Sequence, residues 1–138
     1  MKLLLVDDDK VINIIHQKII KQLYPRQAIH AFSEGLKALK YLETLKVHER
    51  IVIFLDLNMP IISGWEFLKR LQDSFYHLRI EVYVVSSSVA SGDRRQALKF
   101  PIVKSFISKP LTPLLLKQLA ILEKETKLSH IPCPKESR

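Results

Sequence analysis

Three consecutive aspartates, Asp7, Asp8 and Asp9, follow the apolar run Leu3-Leu4-Leu5-Val6, and Asp56 follows Ile51-Val52-Ile53-Phe54-Leu55. Four of the six aspartates in the chain therefore stand at the ends of two apolar runs. An ionisable group that closes so apolar a segment costs free energy unless it is used. Two further runs also end in polar residues: Glu81-Val82-Tyr83-Val84-Val85 leads into Ser86-Ser87-Ser88, and the run Val103 to Ile107 leads to Lys109-Pro110. If these ends converge, the carboxylates repel one another. Two unit charges ~4 Å apart cost on the order of 4 kcal/mol at an effective dielectric near 20. A site that keeps three carboxylates must hold a cation or give up charge. Oxygen donors without cysteine or histidine beside them favour a hard ion such as Mg2+. A lysine and a serine hydroxyl opposite them would complete a site suited to a phosphoryl group, whose oxygens need neutralising from several sides.

Convergence depends on the elements that carry these residues. Leu3 to Val6 reads as a first strand. Between Lys10 and Leu23, the residues Val11, Ile12, Ile15, Ile19 and Leu23 recur at helical spacing, and Pro25 stops the helix. Asp9 is its expected N-cap. Ala28 to Phe32 is a less apolar strand, as expected at a sheet edge, and Ser33 is the expected N-cap of a helix carrying Leu36, Leu39, Leu42 and Leu45. Ile51 to Leu55 is uninterrupted, which predicts burial on both faces. The loop Asn58 to Gly64 leads to a helix with Phe67, Leu68, Leu71 and Phe75. Glu81 to Val85 is a fourth strand. A weak helix follows over Asp93 to Lys99, then a short strand over Val103 to Ile107. Thr112 as N-cap and Pro113 at the first helical position open a last helix with Leu115, Leu119 and Leu122.

Strand followed by helix, five times, predicts parallel strands joined by right-handed crossovers with helices on both faces. The expected fold is a doubly wound α/β domain of flavodoxin-like type, (βα)5, with strand order 2-1-3-4-5. In that order strands one and three are neighbours and their aspartates meet. Ligands of such sheets bind beyond the carboxyl ends of the strands, where the order reverses.

Composition narrows the class. A chain of 138 residues with 47% hydrophobic and 26% charged residues fits one globular domain with a core. Apolar runs are far shorter than the roughly 20 residues of a membrane span. The first apolar run meets acids at once, unlike a signal peptide, so a cytoplasmic location is expected. Cys133 is the sole cysteine, which excludes an intrachain disulfide and a cysteine-based zinc cluster. The glycines Gly35, Gly64 and Gly92 form no dinucleotide or P-loop motif. The net charge of +8 could attract nucleic acid or anionic membrane, but the basic residues are spread without a block, as on solvated helix faces.

The segments LLLVDDD, FLDLNMPIISG, VVSSS and FISKPL, in that order, resemble the response-regulator receiver domains of two-component signalling, which are CheY-like. The resemblance covers about residues 2 to 125 and implies a stand-alone receiver over 1–125; Ile131-Pro132-Cys133-Pro134 and the charged end make 126–138 an expected flexible tail, too short for an effector module. By that resemblance Asp56 is the phosphoacceptor. Asp7 and Asp8 hold Mg2+ together with Asp56 and the backbone carbonyl of Asn58. Lys109 pairs with phosphoryl oxygens, and its bond to Pro110 resembles the family's cis peptide. Ser86 is the hydroxyl that bonds the phosphoryl group, and Phe106 is the aromatic switch residue. Asn58 and Ser88 lie near positions that tune hydrolysis, and Gly64 matches the glycine shaping the loop after the acceptor. The implied partners are a sensor histidine kinase or phosphotransfer protein and a downstream protein. Such a chain is a phosphoacceptor with slow self-dephosphorylation rather than an enzyme.

Two departures stand out. The spacing from Ser86 to Lys109 is 23 residues, one more than is common in the family, which would favour Ser87. Ser86 directly follows the apolar strand, however, and a one-residue insertion within Phe100 to Val103 would restore the match. Two other classes compete. A Mg2+-dependent phosphatase with Asp56 as nucleophile would need an acid two residues later, where Asn58 stands. A degenerate receiver serving as a basic nucleic-acid-binding or scaffold protein would have no use for Asp8, Asp56 and Lys109 together.

Overall fold

The computed structural model describes residues 1–87 and 91–119. Five strands and five helices alternate along them: β1 (Lys2–Val6), α1 (Lys10–Leu23), β2 (Ile29–Phe32), α2 (Gly35–Leu42), β3 (Arg50–Leu55), α3 (Gly64–Ser74), β4 (Arg79–Ser86), α4 (Ser91–Leu98), β5 (Val103–Ser108) and α5 (Pro113–Leu119). All strand pairs are parallel, in the order β2-β1-β3-β4-β5. The doubly wound fold expected from the pattern is the fold observed. Leu122, the boundary at residue 125, the tail 126–138 with Cys133, and Ser88 lie outside the described residues. No helix among the described residues is long and apolar enough to cross a membrane.

The strand period of two divides the core. Leu4, Val6, Ile53, Leu55, Val82 and Val84 face α2, α3 and α4, where they pack with Leu39, Leu42, Phe67, Leu71 and Ala97. Leu3, Leu5, Val52, Phe54, Tyr83 and Val85 face the other way, onto Ile20 of α1 and Leu116 of α5. β1 and β3 are therefore apolar on both faces, and each fully buried Leu or Ile contributes roughly 1.5–3 kcal/mol. Their register pairs Val6 with Leu55, so Asp7 and Asp56 leave the sheet at the same level.

Several local expectations need correction. Glu34, not Ser33, occupies the N-cap position of α2; its extended backbone starts the helix, and its side chain makes no cap bond. α2 ends at Leu42, and Leu45 lies in the following turn, where its N–H donates to the Leu42 carbonyl. β4 begins at Arg79 and includes Ser86, because its pairing with β3 starts at Arg50 and its pairing with β5 runs to Ser108.

The largest difference concerns α1. Its Val11 and Ile15 are exposed, while the residues it buries are Asn13, His16 and Ile20. Asp9 caps this helix as expected, accepting from the N–H groups of Val11 and Ile12. The rotation follows from backbone accounting: Asn13 donates to the Asp7 carbonyl and adds a second donor to the Phe32 carbonyl, and His16 accepts the buried Leu111 N–H. At the other end of the chain, Thr112 caps α5 through the Leu115 N–H, also as expected.

Candidate functional site

The β1–α1 turn is held by its own acids. The Asp9 N–H donates to Asp7 Oδ1 at 2.9 Å, and the Asp7 N–H donates to the Phe32 carbonyl at 3.1 Å. The Asp56 N–H extends the β1–β3 ladder to the Val6 carbonyl at 2.9 Å. These bonds place Asp7, Asp8 and Asp56 so that one carboxylate oxygen of each lies within 4.8 Å of the others. Asp7 and Asp56 are buried and Asp8 is exposed, so the cluster opens to solvent on one side.

Lys109 closes the opposite side. Its Nζ lies 2.7 Å from Asp7 Oδ2 and 3.6 Å from Asp56 Oδ1. Its position comes from β5, whose Ser108 pairs with Ser86 of β4, and from its own N–H, which donates to the Ser86 carbonyl at 3.0 Å. The Lys109–Pro110 peptide bond is cis, as the resemblance implied.

The electrostatics follow the geometry. Burial pushes the Asp56 carboxyl up to about 6, the Asp7 charge adds to this, and Lys109 and the Asn58 backbone N–H only partly offset it. Burial alone would lower Lys109, but its hydrogen bond to Asp7 and the charges of Asp56 and Asp7 outweigh that and raise it. Lys109 is thus a fixed cation facing more negative charge than it can neutralise. The donor set is all carboxylate oxygen, compact and open to solvent, which is the chemistry of a hard divalent cation such as Mg2+.

Ser86, the last residue of β4, is fully buried, while Ser87 is exposed. Phe106 pairs with Val84, two residues before Ser86, and its half-buried ring packs against the core on the α2–α4 side. Its carbonyl accepts from Arg94 of α4 at 3.2 Å. Asn58 is exposed in the β3–α3 loop. The β4–β5 ladder carries one irregularity, just after Val103. Val82 pairs with Val103 but Tyr83 pairs with Ser105, so Lys104 is bulged out of the ladder. Beyond that bulge the ladder resumes and brings Ser86 level with Ser108.

Sequence reasoning missed Asn13 and His16. The Asn13 Nδ2 donates to the carbonyls of Asp7 at 2.9 Å and Phe32 at 3.3 Å. The His16 Nε2 accepts the Leu111 N–H at 3.1 Å. A signal existed, since Asn13, His16 and Ile20 share a helical stripe, but the neighbouring isoleucines outweigh it.

A sequence model described as "Response regulator receiver domain" matches residues 3–121. Among curated relatives, a chemotaxis protein CheY homolog of Campylobacter jejuni is 29% identical over 119 residues, 86% of this chain and 88% of that protein. Stress response regulator protein 1 of Meyerozyma guilliermondii is 32% identical over 95 residues, 69% of this chain. The match spans only 43% of that yeast protein's length. Among solved structures, a two-component response regulator from Cytophaga hutchinsonii superposes with a TM-score of 0.74 at 29% identity, covering 91% of this chain and 96% of that one.

Proposed function

Because the chain belongs to the response regulator receiver family, we propose that it accepts a phosphoryl group on Asp56 from a phosphohistidine of a sensor histidine kinase or phosphotransfer protein. An Asp56 carboxylate oxygen forms the new bond to phosphorus as the phosphorus–nitrogen bond breaks, and the electron pair of that bond leaves with the donor imidazole. The observation that carries this reading is the convergence of three carboxylates, two of them paired with one lysine ammonium, at the carboxyl ends of β1, β3 and β5. Lys109 is within reach of both buried carboxylates, so it can shift toward phosphoryl oxygens as they arrive and offset their charge.

Asp7, Asp8, Asp56 and the Asn58 carbonyl would hold Mg2+. When bound, the ion supplies neutralising charge for the carboxylates and the phosphoryl oxygens. Asn58 offers no ionisable proton two residues after the acceptor, which disfavours turnover as a phosphatase.

The consequence is a shift between two states. The Ser86 hydroxyl donates to a phosphoryl oxygen, and the space it leaves lets Phe106 turn inward from its half-buried position. The surface of α4, β5 and α5 then changes its preferred protein partner. Modification shifts that equilibrium only by its differential interaction with the two states. One charge-assisted hydrogen bond, about 1.5–3 kcal/mol, shifts the ratio roughly 10- to 150-fold.

Incubation with Mg2+ and acetyl phosphate tests the acceptor. Intact-mass spectrometry is expected to show the gain of one phosphoryl group in the native protein and no gain in Asp56→Asn. Equal labelling of that variant would overturn the assignment.

A further inference from the structure

The buried polar face of α1 has no packing reason to exist. His16 is 3% exposed on a helix whose isoleucines could fill the same space, yet Ile14 and Ile15 point to solvent. Its Nε2 instead accepts the N–H of Leu111, 95 residues away, at 3.1 Å. Accepting there requires the imidazole to be neutral with its proton on Nδ1.

Leu111 lies two residues beyond Lys109, and the intervening Pro110 has no N–H to anchor. The segment carrying the lysine is therefore pinned through two backbone donors. The Lys109 N–H goes to Ser86, and the buried Leu111 N–H goes to His16. Removing the second acceptor would leave a buried donor unpaired, and the segment would have to move to satisfy it. One helical turn earlier, Asn13 ties the same face of α1 to the Asp7 carbonyl at 2.9 Å and to β2. A single rigid helix thus indexes the turn bearing Asp7 against the segment bearing Lys109, and Nζ meets Asp7 Oδ2 at 2.7 Å between them.

We infer that His16 is a positioning residue that sets Lys109 against the acidic cluster. The inference rests on the reading of Lys109 as the cation that pairs with the incoming phosphoryl group.

The test compares His16→Leu, His16→Gln, Lys109→Ala and the double variant of His16→Leu with Lys109→Ala. His16→Leu is expected to slow labelling by acetyl phosphate about 10-fold while leaving Mg2+ affinity by calorimetry within about twofold. His16→Gln, whose amide oxygen can take the place of Nε2, should recover most of the rate. In the Lys109→Ala background His16→Leu should cost nothing further, because a residue acting through Lys109 has nothing left to act on. A wild-type rate in His16→Leu, no recovery in a folded His16→Gln, or independent losses in the double variant would overturn the inference.

Nuclear magnetic resonance order parameters of the Lys109 ammonium group supply a readout free of phosphoryl chemistry, and they should fall in His16→Leu. If the native protein takes up no phosphoryl group, the acceptor reading fails. The order parameters then decide His16 alone, and unchanged values would refute it.

Discussion

Burial, with the Asp7 charge behind it, keeps the Asp56 carboxyl protonated up to about pH 6, well above its ordinary 3.8. The folded chain therefore holds a proton at Asp56 that the unfolded chain has lost, and the sign of the pH dependence follows. The stability supplied by the protonated form is complete below about 3.8 and is lost as pH rises through about 6. Burial lowers His16 from its ordinary 6.5 and gives the opposite slope, with stability lost as pH falls through its folded-state value. Comparison with Asp56→Asn isolates the first effect. In urea denaturation with EDTA, that variant should be more stable than the native chain at pH 7 by roughly 1–3 kcal/mol, and the difference should shrink toward pH 4. A constant difference across that range would show that Asp56 ionises without strain.

At the scale of the element, the β3–α3 loop converts a strand end into a site. Gly64 opens α3 so close to β3 that a Cβ would lie 2.5 Å from Leu57 Cα and 2.7 Å from the Asp56 carbonyl oxygen. Both neighbours are backbone and cannot yield by rotating a side chain. Gly64→Ala should lose at least about 2 kcal/mol in urea denaturation. It should also label more slowly with acetyl phosphate, because the clash is with the Asp56 peptide. Ile61, in the same loop, holds φ at 69° with its side chain 79% exposed. A β-branched residue is poorly suited to the left-handed region, and asparagine is tolerated there. Ile61→Asn should therefore raise stability by about 1 kcal/mol, read as a higher urea midpoint at unchanged slope.

For the molecule as a whole, the distribution of charge predicts a link between folding and ion binding. The chain is basic overall, at +8, yet concentrates four of its six aspartates at two strand ends. Mg2+ bound only by the folded state should stabilise it by about 2.7 kcal/mol at one hundred times its dissociation constant, raising the melting temperature by several degrees. EDTA should reverse the gain. Asp8 is exposed and its removal leaves no buried group unpaired. Asp8→Asn should therefore melt like the native protein in EDTA and lose most of the rise with Mg2+. A full Mg2+ response in that variant, followed by differential scanning calorimetry, would remove Asp8 from the ligand set.

Strand–helix alternation, the parallel sheet and the placing of Asp7, Asp8, Asp56 and Lys109 at strand ends were legible in the amino-acid order. Those features are written in periodicity and in abrupt changes from apolar to polar residues, which are local properties. The cap at Asp9 and the opening of α5 at Thr112 and Pro113 were legible for the same reason. The face that α1 buries was not. Helical spacing favoured Val11 and Ile15, but the Asp7 carbonyl and the Leu111 N–H, which take Asn13 and His16 as partners, draw those residues inward. The bulge at Lys104, which decides how β5 delivers Lys109, depends equally on pairing with a strand some twenty residues earlier. Only the assembled chain determines which buried donors and acceptors lack partners, since hydrogen-bond demand at one residue is set by segments far from it in sequence.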